Sequence, residues 1–211
     1  MQQLNNQNFK TGIILTIITG VFLFIINSII GKDELFLLLN EDLGKTADEI
    51  FVFFTFLGDG IWWIVALTLF YFFRKRYLPL LFLSFIISEI FVESCKFWLM
   101  PNEPRPIKAI ANLSSIHTVT GVEMHTVSSF PSGHTTQAFV FFLLACLMIN
   151  KKWIVAVGFL YAVLIGYSRI YLAQHFPRDV AGGMLFACIS VIVSVLIYQQ
   201  WFNHKNKKAL Q

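Results

Sequence analysis

The sequence predicts an all-α integral membrane protein, a single bundle of six transmembrane helices. Apolar residues make up 56% of its 211, against ~45–50% in soluble domains. Only 13% are charged, about half the usual share, and the mean hydropathy is +0.67. A hydrocarbon core ~30 Å thick takes about 20 helical residues to cross, and six stretches approach or exceed that length: 11–31, 50–73, 77–100, 132–150, 153–174 and 179–202.

The first stretch is uncharged from Thr11 to Ile30. It exceeds the ~7–15 residues of a signal-peptide core and no small-x-small cleavage site follows, so it reads as a retained span. The second holds Asp59 between Gly58 and Gly60, a cap or a break in the helix, and the third carries Glu89, Glu93 and Lys96. The fourth opens within Pro131-Ser132-Gly133-His134, in which Ser132 stands where a helix N-cap is expected. The fifth contains Arg169, and the sixth opens at Asp179, with Ala181-Gly182-Gly183 as a close helix-packing face. Cys95, Cys146 and Cys188 fall in three different spans without CxxC or Cys/His ligand spacing, which makes them core residues with no disulfide or metal role. Repeats and linkers are absent, so residues 1–211 read as one domain.

Cytoplasmic loops collect Lys and Arg. Lys10, Arg74-Lys75-Arg76, Lys151-Lys152 and the group Lys205, Lys207, Lys208 all fall on one side of a six-span bundle, and an acidic 32–49 loop falls on the other. Both termini are therefore expected in the cytoplasm. The net charge of +4 is explained by these helix-end residues, so no nucleic-acid partner is implied.

The outward face receives Lys96, Arg105 in the 101–131 loop, His134, and the run from Ser168 to Asp179 that holds Arg169 and His175. Ionisable groups beside hydrocarbon are costly, and such a cluster marks a functional site. Its chemistry points to phosphoryl transfer through histidine. Arg105 and Arg169 offer planar forks for a phosphate, Lys96 adds a compact charge, and Ser132 with Gly133 presents free N–H groups at a helix start. One of the two imidazoles attacks phosphorus while the other protonates the departing oxygen. Asp179, four residues after His175, reaches that ring's second nitrogen if the backbone is helical. His117 and His125 read as solvated loop histidines. Glu93 and Lys96, three apart, are also able simply to neutralise each other.

These residues resemble the type 2 phosphatidic acid phosphatase superfamily, membrane lipid phosphatases related to vanadium haloperoxidases. The family's three signatures are Lys-x6-Arg-Pro, Pro-Ser-Gly-His and Ser-Arg-x5-His-x3-Asp. The second matches at Pro131 to His134, and the third from Ser168 through Arg169 and His175 to Asp179. The first departs: eight residues separate Lys96 from Arg105, and the position the spacing assigns to lysine is Trp98. The resemblance implies a six-helix core with an outward site, in a bacterial cytoplasmic membrane. It implies His175 as nucleophile forming a phosphohistidine, Asp179 as its orienter and His134 as acid and then base. Arg105, Arg169, Ser132 and Gly133 bind phosphate, with Lys96 in question, and neither metal nor cofactor is implied. The expected partner is a lipid phosphate or diphosphate: polyprenyl diphosphate, phosphatidate, phosphatidylglycerophosphate or lipid A type. Two rivals stand beside this reading, a vanadate-dependent haloperoxidase and a non-catalytic lipid-phosphate binder or transporter.

Overall fold

The computed structural model describes residues 5–208. Among them the fold is all helical: α1 (Asn6–Ile30), α2 (Lys32–Leu39), α3 (Lys45–Leu57), α4 (Ile61–Phe73), α5 (Leu78–Ser94), a one-turn α6 (Pro106–Ala109), α7 (Gly133–Met148), α8 (Trp153–Tyr171) and α9 (Pro177–Lys208). A five-residue π-helical turn, Cys95–Leu99, continues α5.

Helix α7 is the axis of the bundle. Residues on every side of it are buried, from Thr135 and Gln137 to Cys146 and Leu147, and it packs against α1, α5, α8 and α9. A helix apolar all round belongs inside. The outer helices instead turn large apolar side chains outward, such as Ile18, Phe22 and Ile29 on α1 and Ile64 and Phe72 on α4, as a lipid-facing surface requires.

Among the described residues, four helical stretches are long and apolar enough to cross a membrane: 6–30, 75–99, 153–171 and 177–202. A fifth results if α3 and α4, bent by 51°, count as one broken span. The break falls at Gly58-Asp59-Gly60, where the Asp59 carboxylate accepts from the Ile61 N–H at 3.2 Å. The expectation of six spans meets its exception in α7, whose 16 residues are shorter than a full crossing. The acidic 32–49 segment is likewise no plain loop, since α2 and the first turn of α3 lie in it.

The end of the bundle opposite the site gathers the basic clusters. The Asn5 N–H donates to the Leu147 carbonyl at 2.8 Å, and its side-chain amide donates to Asn150 at 2.8 Å, beside Lys151 and Lys152. Tyr198 donates to the Arg76 carbonyl at 3.0 Å. The side chains of Lys205, Lys207 and Lys208 lie outside the described residues. Cys95, Cys146 and Cys188 are buried and free.

Candidate active site

The turn from α8 into α9 sets the geometry. Helix α8 ends because Asn40 caps it from α2, its side-chain amide donating to the Ile170 and Tyr171 carbonyls at 3.1 and 2.7 Å. Ala173 then takes a left-handed conformation, φ +54, and the chain doubles back so that the Gln174 and His175 N–H groups both reach the Arg169 carbonyl. Pro177 opens α9, where its missing N–H costs nothing. Asp179, two residues on, accepts from the Phe176 N–H at 3.0 Å, a capping-box arrangement that fixes the carboxylate.

This turn places His175 Nδ1 at 3.6 Å from Asp179 Oδ2, with the two side chains 3% and 0% exposed. The other ring nitrogen, Nε2, stands 3.4 Å from an Arg105 terminal nitrogen. A guanidinium only donates, so this contact favours the tautomer with the lone pair on Nε2 and the proton on Nδ1, toward the carboxylate. Burial, reinforced by the cations of Arg105, Arg169 and Lys96, holds the His175 pKa well below its usual value and the ring neutral.

Arg105 is buried and tied down from the 101–131 loop. Its main-chain N–H donates to Thr126 at 3.0 Å, its Nε to the Val127 carbonyl at 2.9 Å and its Nη1 to the Gln174 carbonyl at 3.1 Å. Burial lowers its pKa and nearby Asp179 opposes the shift; a guanidinium stays cationic throughout. Arg169 is also buried and donates to the Thr55 hydroxyl on α3. Its Nε is buried without a hydrogen-bond partner. It forms no ion pair with Asp179 among the described residues.

The start of α7 faces these groups. Ser132 is its N-cap, accepting from the Thr135 N–H at 3.4 Å and hydroxyl at 2.9 Å, and its own N–H donates to the Asp179 carbonyl at 3.0 Å. Gly183 on α9 allows that approach, because a Cβ there would stand 2.8 Å from the Ser132 carbonyl. His134, on the first turn of α7, lies within electrostatic reach of Arg169, His175, Lys96 and Arg105, and Gly58 in the α3–α4 break leaves room for its ring, which a Cβ there would meet at 3.3 Å.

Lys96, two residues out of the family spacing, stands beside the α7 N-terminus. It lies in the π-helical turn, which adds a residue to the helix and re-aims the side chains that follow. The Lys96 ammonium comes within 3.5 Å of where a Gly133 Cβ would stand, while Trp98 is 86% exposed. The ammonium also pairs with Glu93 at 3.4 Å, the neutralisation expected of residues three apart.

One expectation fails. His117 is not a solvated loop residue: its Nε2 stands 3.0 Å from Asp48 and its Nδ1 3.9 Å from Asp42, with the side chain 11% exposed. Asn40 clamps its backbone, accepting from the His117 N–H at 2.8 Å and donating to its carbonyl at 3.1 Å. Asp42, Asp48 and His117 have a spacing that a metal ion could use, but each nitrogen already faces a carboxylate. His125 is exposed as expected. Sequence reasoning missed Thr55, Ser129, Gln174 and Asn40; Ser129, three residues before Ser132, and Gln174, immediately before His175, lie beside or within motifs that could have flagged them.

The chain matches the family model described as PAP2 superfamily over residues 76–203, a stretch that includes every charged or imidazole group in this cluster. It is 31% identical over 170 residues to an undecaprenyl-diphosphatase of Sulfolobus acidocaldarius, covering 78% of this chain and 77% of that one. The crystal structure of Aquifex aeolicus LpxE is similar at a TM-score of 0.67 and 35% identity, over 77% of this chain and 93% of that one. That of the first transmembrane PAP2 type phosphatidylglycerolphosphate phosphatase from Bacillus subtilis shares the fold, at a TM-score of 0.62 and 21% identity over 88% and 96%. Matched motifs, apolar helices and solved relatives agree: this multi-pass integral membrane protein belongs to the PAP2 superfamily of lipid phosphatases.

Proposed function

We propose that the protein hydrolyses the terminal phosphate of a lipid phosphate or diphosphate through a phosphohistidine, as one membrane-embedded domain with the site on the outer face of a bacterial cytoplasmic membrane. In this reading α7 completes a six-span bundle as a short, fully enclosed crossing, and the basic end faces the cytoplasm. The observation that carries the proposal is the buried neutral His175. Its Nε2 faces Arg105 and its Nδ1 faces Asp179, in front of the α7 N-terminus.

In the first step Nε2 attacks phosphorus as the phosphorus–oxygen bond to the lipid breaks. His134 gives its proton to the departing oxygen. Arg105, Arg169, Lys96 and the N–H groups after Ser132 and Gly133 take up the charge on the equatorial oxygens, where most of the catalysis lies. In the second step His134 removes a proton from water, the oxygen attacks phosphorus, and His175 leaves neutral while Asp179 steadies Nδ1–H. None of these steps calls on a metal or cofactor.

The test is release of inorganic phosphate from a panel of lipid phosphates by purified protein, with polyprenyl diphosphate first because of the Sulfolobus relative. Turnover should persist in excess chelator, fall with vanadate and vanish in His175→Ala. A requirement for added divalent metal, or an active His175→Ala protein, would overturn the histidine mechanism.

A further inference from the structure

The His175 and Asp179 side chains do not hold each other. Nδ1 and Oδ2 are 3.6 Å apart, beyond hydrogen-bond length, and Nδ1 has no partner of hydrogen-bond geometry. Besides the Phe176 N–H, the carboxylate is gripped by Ser129, whose hydroxyl donates to Asp179 Oδ2 at 2.5 Å with both residues fully buried. The Ser129 main-chain carbonyl also faces the His175 ring and favours its protonated form, a contact that a change of the Ser129 side chain leaves in place.

The same segment holds the cationic side of the site. The Ser129 N–H donates to the Glu103 carbonyl at 3.1 Å, and Thr126 and Val127 accept from the Arg105 main chain and Nε. Ser128 between them is left-handed, φ +56, a strained conformation for a non-glycine residue that persists where surroundings impose it. That turn lets residues so close in sequence serve two different side chains. Glu103 is in turn paired with Arg178, the neighbour of Asp179.

We propose that Ser129 is a positioning residue for the reaction. Its hydroxyl anchors the Asp179 carboxylate behind Nδ1 and in register with Arg105, so that His175 keeps Nε2 toward phosphorus. While the ring is neutral the carboxylate is shared by Ser129 and the Phe176 N–H. Once Nε2 carries the phosphoryl group the ring is cationic and its Nδ1–H a stronger donor, and the anchored carboxylate needs to close by about 0.7 Å from its 3.6 Å separation to accept it. This rests on the reading of His175 as nucleophile.

The test is steady-state and single-turnover kinetics across the pH range for Ser129→Ala, Ser129→Thr and His175→Ala in detergent-purified protein, each checked for wild-type elution and melting. Ser129→Ala should keep KM within about twofold and lose about tenfold or more in kcat. Its acid-quenched phosphoenzyme should form correspondingly slowly. The acid limb of kcat/KM should move to higher pH, because a carboxylate deprived of its donor favours protonation of the neighbouring ring. Ser129→Thr, which keeps the hydroxyl, should recover most of the rate. Unchanged kcat in Ser129→Ala, or an equal loss in both variants with an unmoved acid limb, would overturn the proposal. Turnover by His175→Ala would remove the underlying reading, whatever Ser129 does.

Discussion

Replacing Lys96 by Met keeps the apolar stem and removes the ammonium. Two contributions are lost and they act on different observables. The pair with Glu93 involves a side chain 42% exposed, so it is worth at most ~1 kcal/mol and affects folding. Contact with a bound phosphate is charge-assisted, ~1.5–3 kcal/mol, and affects kcat/KM alone. Lys96 is only 18% exposed and reaches the α7 N-terminus, within 3.5 Å of a Gly133 Cβ position, so the second contribution should dominate. At about 1.4 kcal/mol per decade, kcat/KM should fall by one to two orders of magnitude while the melting temperature moves little. The assay is phosphate release from a short-chain lipid phosphate in mixed micelles, for Lys96→Met, Glu93→Gln and the double variant. Glu93→Gln should leave kcat/KM unchanged or raise it, since the carboxylate competes with phosphate for the ammonium. Near-normal kcat/KM in well-folded Lys96→Met would refute the reasoning and leave Arg105 and Arg169 as the cationic clamps.

Gly183→Ala would put a Cβ 2.8 Å from the Ser132 carbonyl and 3.2 Å from the Thr136 N, so it should cost about 1–3 kcal/mol in detergent melts and reduce activity further. Gly133→Ala, whose Cβ meets Lys96 and Val92 at 3.5 and 3.8 Å, should melt normally. Thr55→Val removes the hydroxyl that holds Arg169, and should lower kcat/KM about tenfold and weaken vanadate inhibition in parallel, a loss of ~1–3 kcal/mol. His175 has a folded pKa well below its unfolded value of 6.5. The unfolded chain alone gains that proton as pH falls below 6.5, so the stability this group contributes is full above that pH. It should drain away on acidification by up to about 1.4 kcal/mol per pH unit, read as a falling melting temperature that bound phosphate opposes. Single cysteines at Asp42 or Ser115, in a background lacking Cys95, Cys146 and Cys188, should react with an impermeant thiol reagent in intact cells, and one at Lys75 should not. The opposite pattern would place the site in the cytoplasm.

What was legible in the sequence was the chemistry-bearing set. Arg105, His134 and the run holding Arg169, His175 and Asp179 come from three separate stretches that the fold brings together, and they were legible because side chains costly to bury in a membrane stand out against apolar helices. Lys96 was ambiguous because spacing rules assume 3.6 residues per turn, and a π-helical turn changes both count and direction. Thr55 was invisible: a threonine in an apolar helix carries no signal, and it enters the site through the packing of α3 against α8. His117 was misjudged because the Asp42 and Asp48 side chains that enclose it arrive from across the α2–α3 connection, some 70 residues away in the chain. Six spans were counted from hydropathy, which measures composition, whereas the length of α7 is set by where Ser132 caps it and where Ile149 ends it.

The shortness of α7 fixes the depth at which the protein works. Sixteen residues rise about 24 Å at 1.5 Å each, roughly 6 Å less than a ~30 Å hydrocarbon layer. If α7 is the short crossing proposed above, with its Met148 end at one boundary, the Ser132 end would lie in a dimple below the other. A phosphate that reaches it must sink beneath its neighbours in the leaflet and exchange part of its hydration for the buried guanidinium groups. A phosphate joined directly to its hydrocarbon makes that descent with the chain still in its own layer. One raised on a bulky polar spacer has to drag the spacer down with it. On the proposed reading the protein would then sort lipids by how far their phosphate can be lowered, before any headgroup is touched.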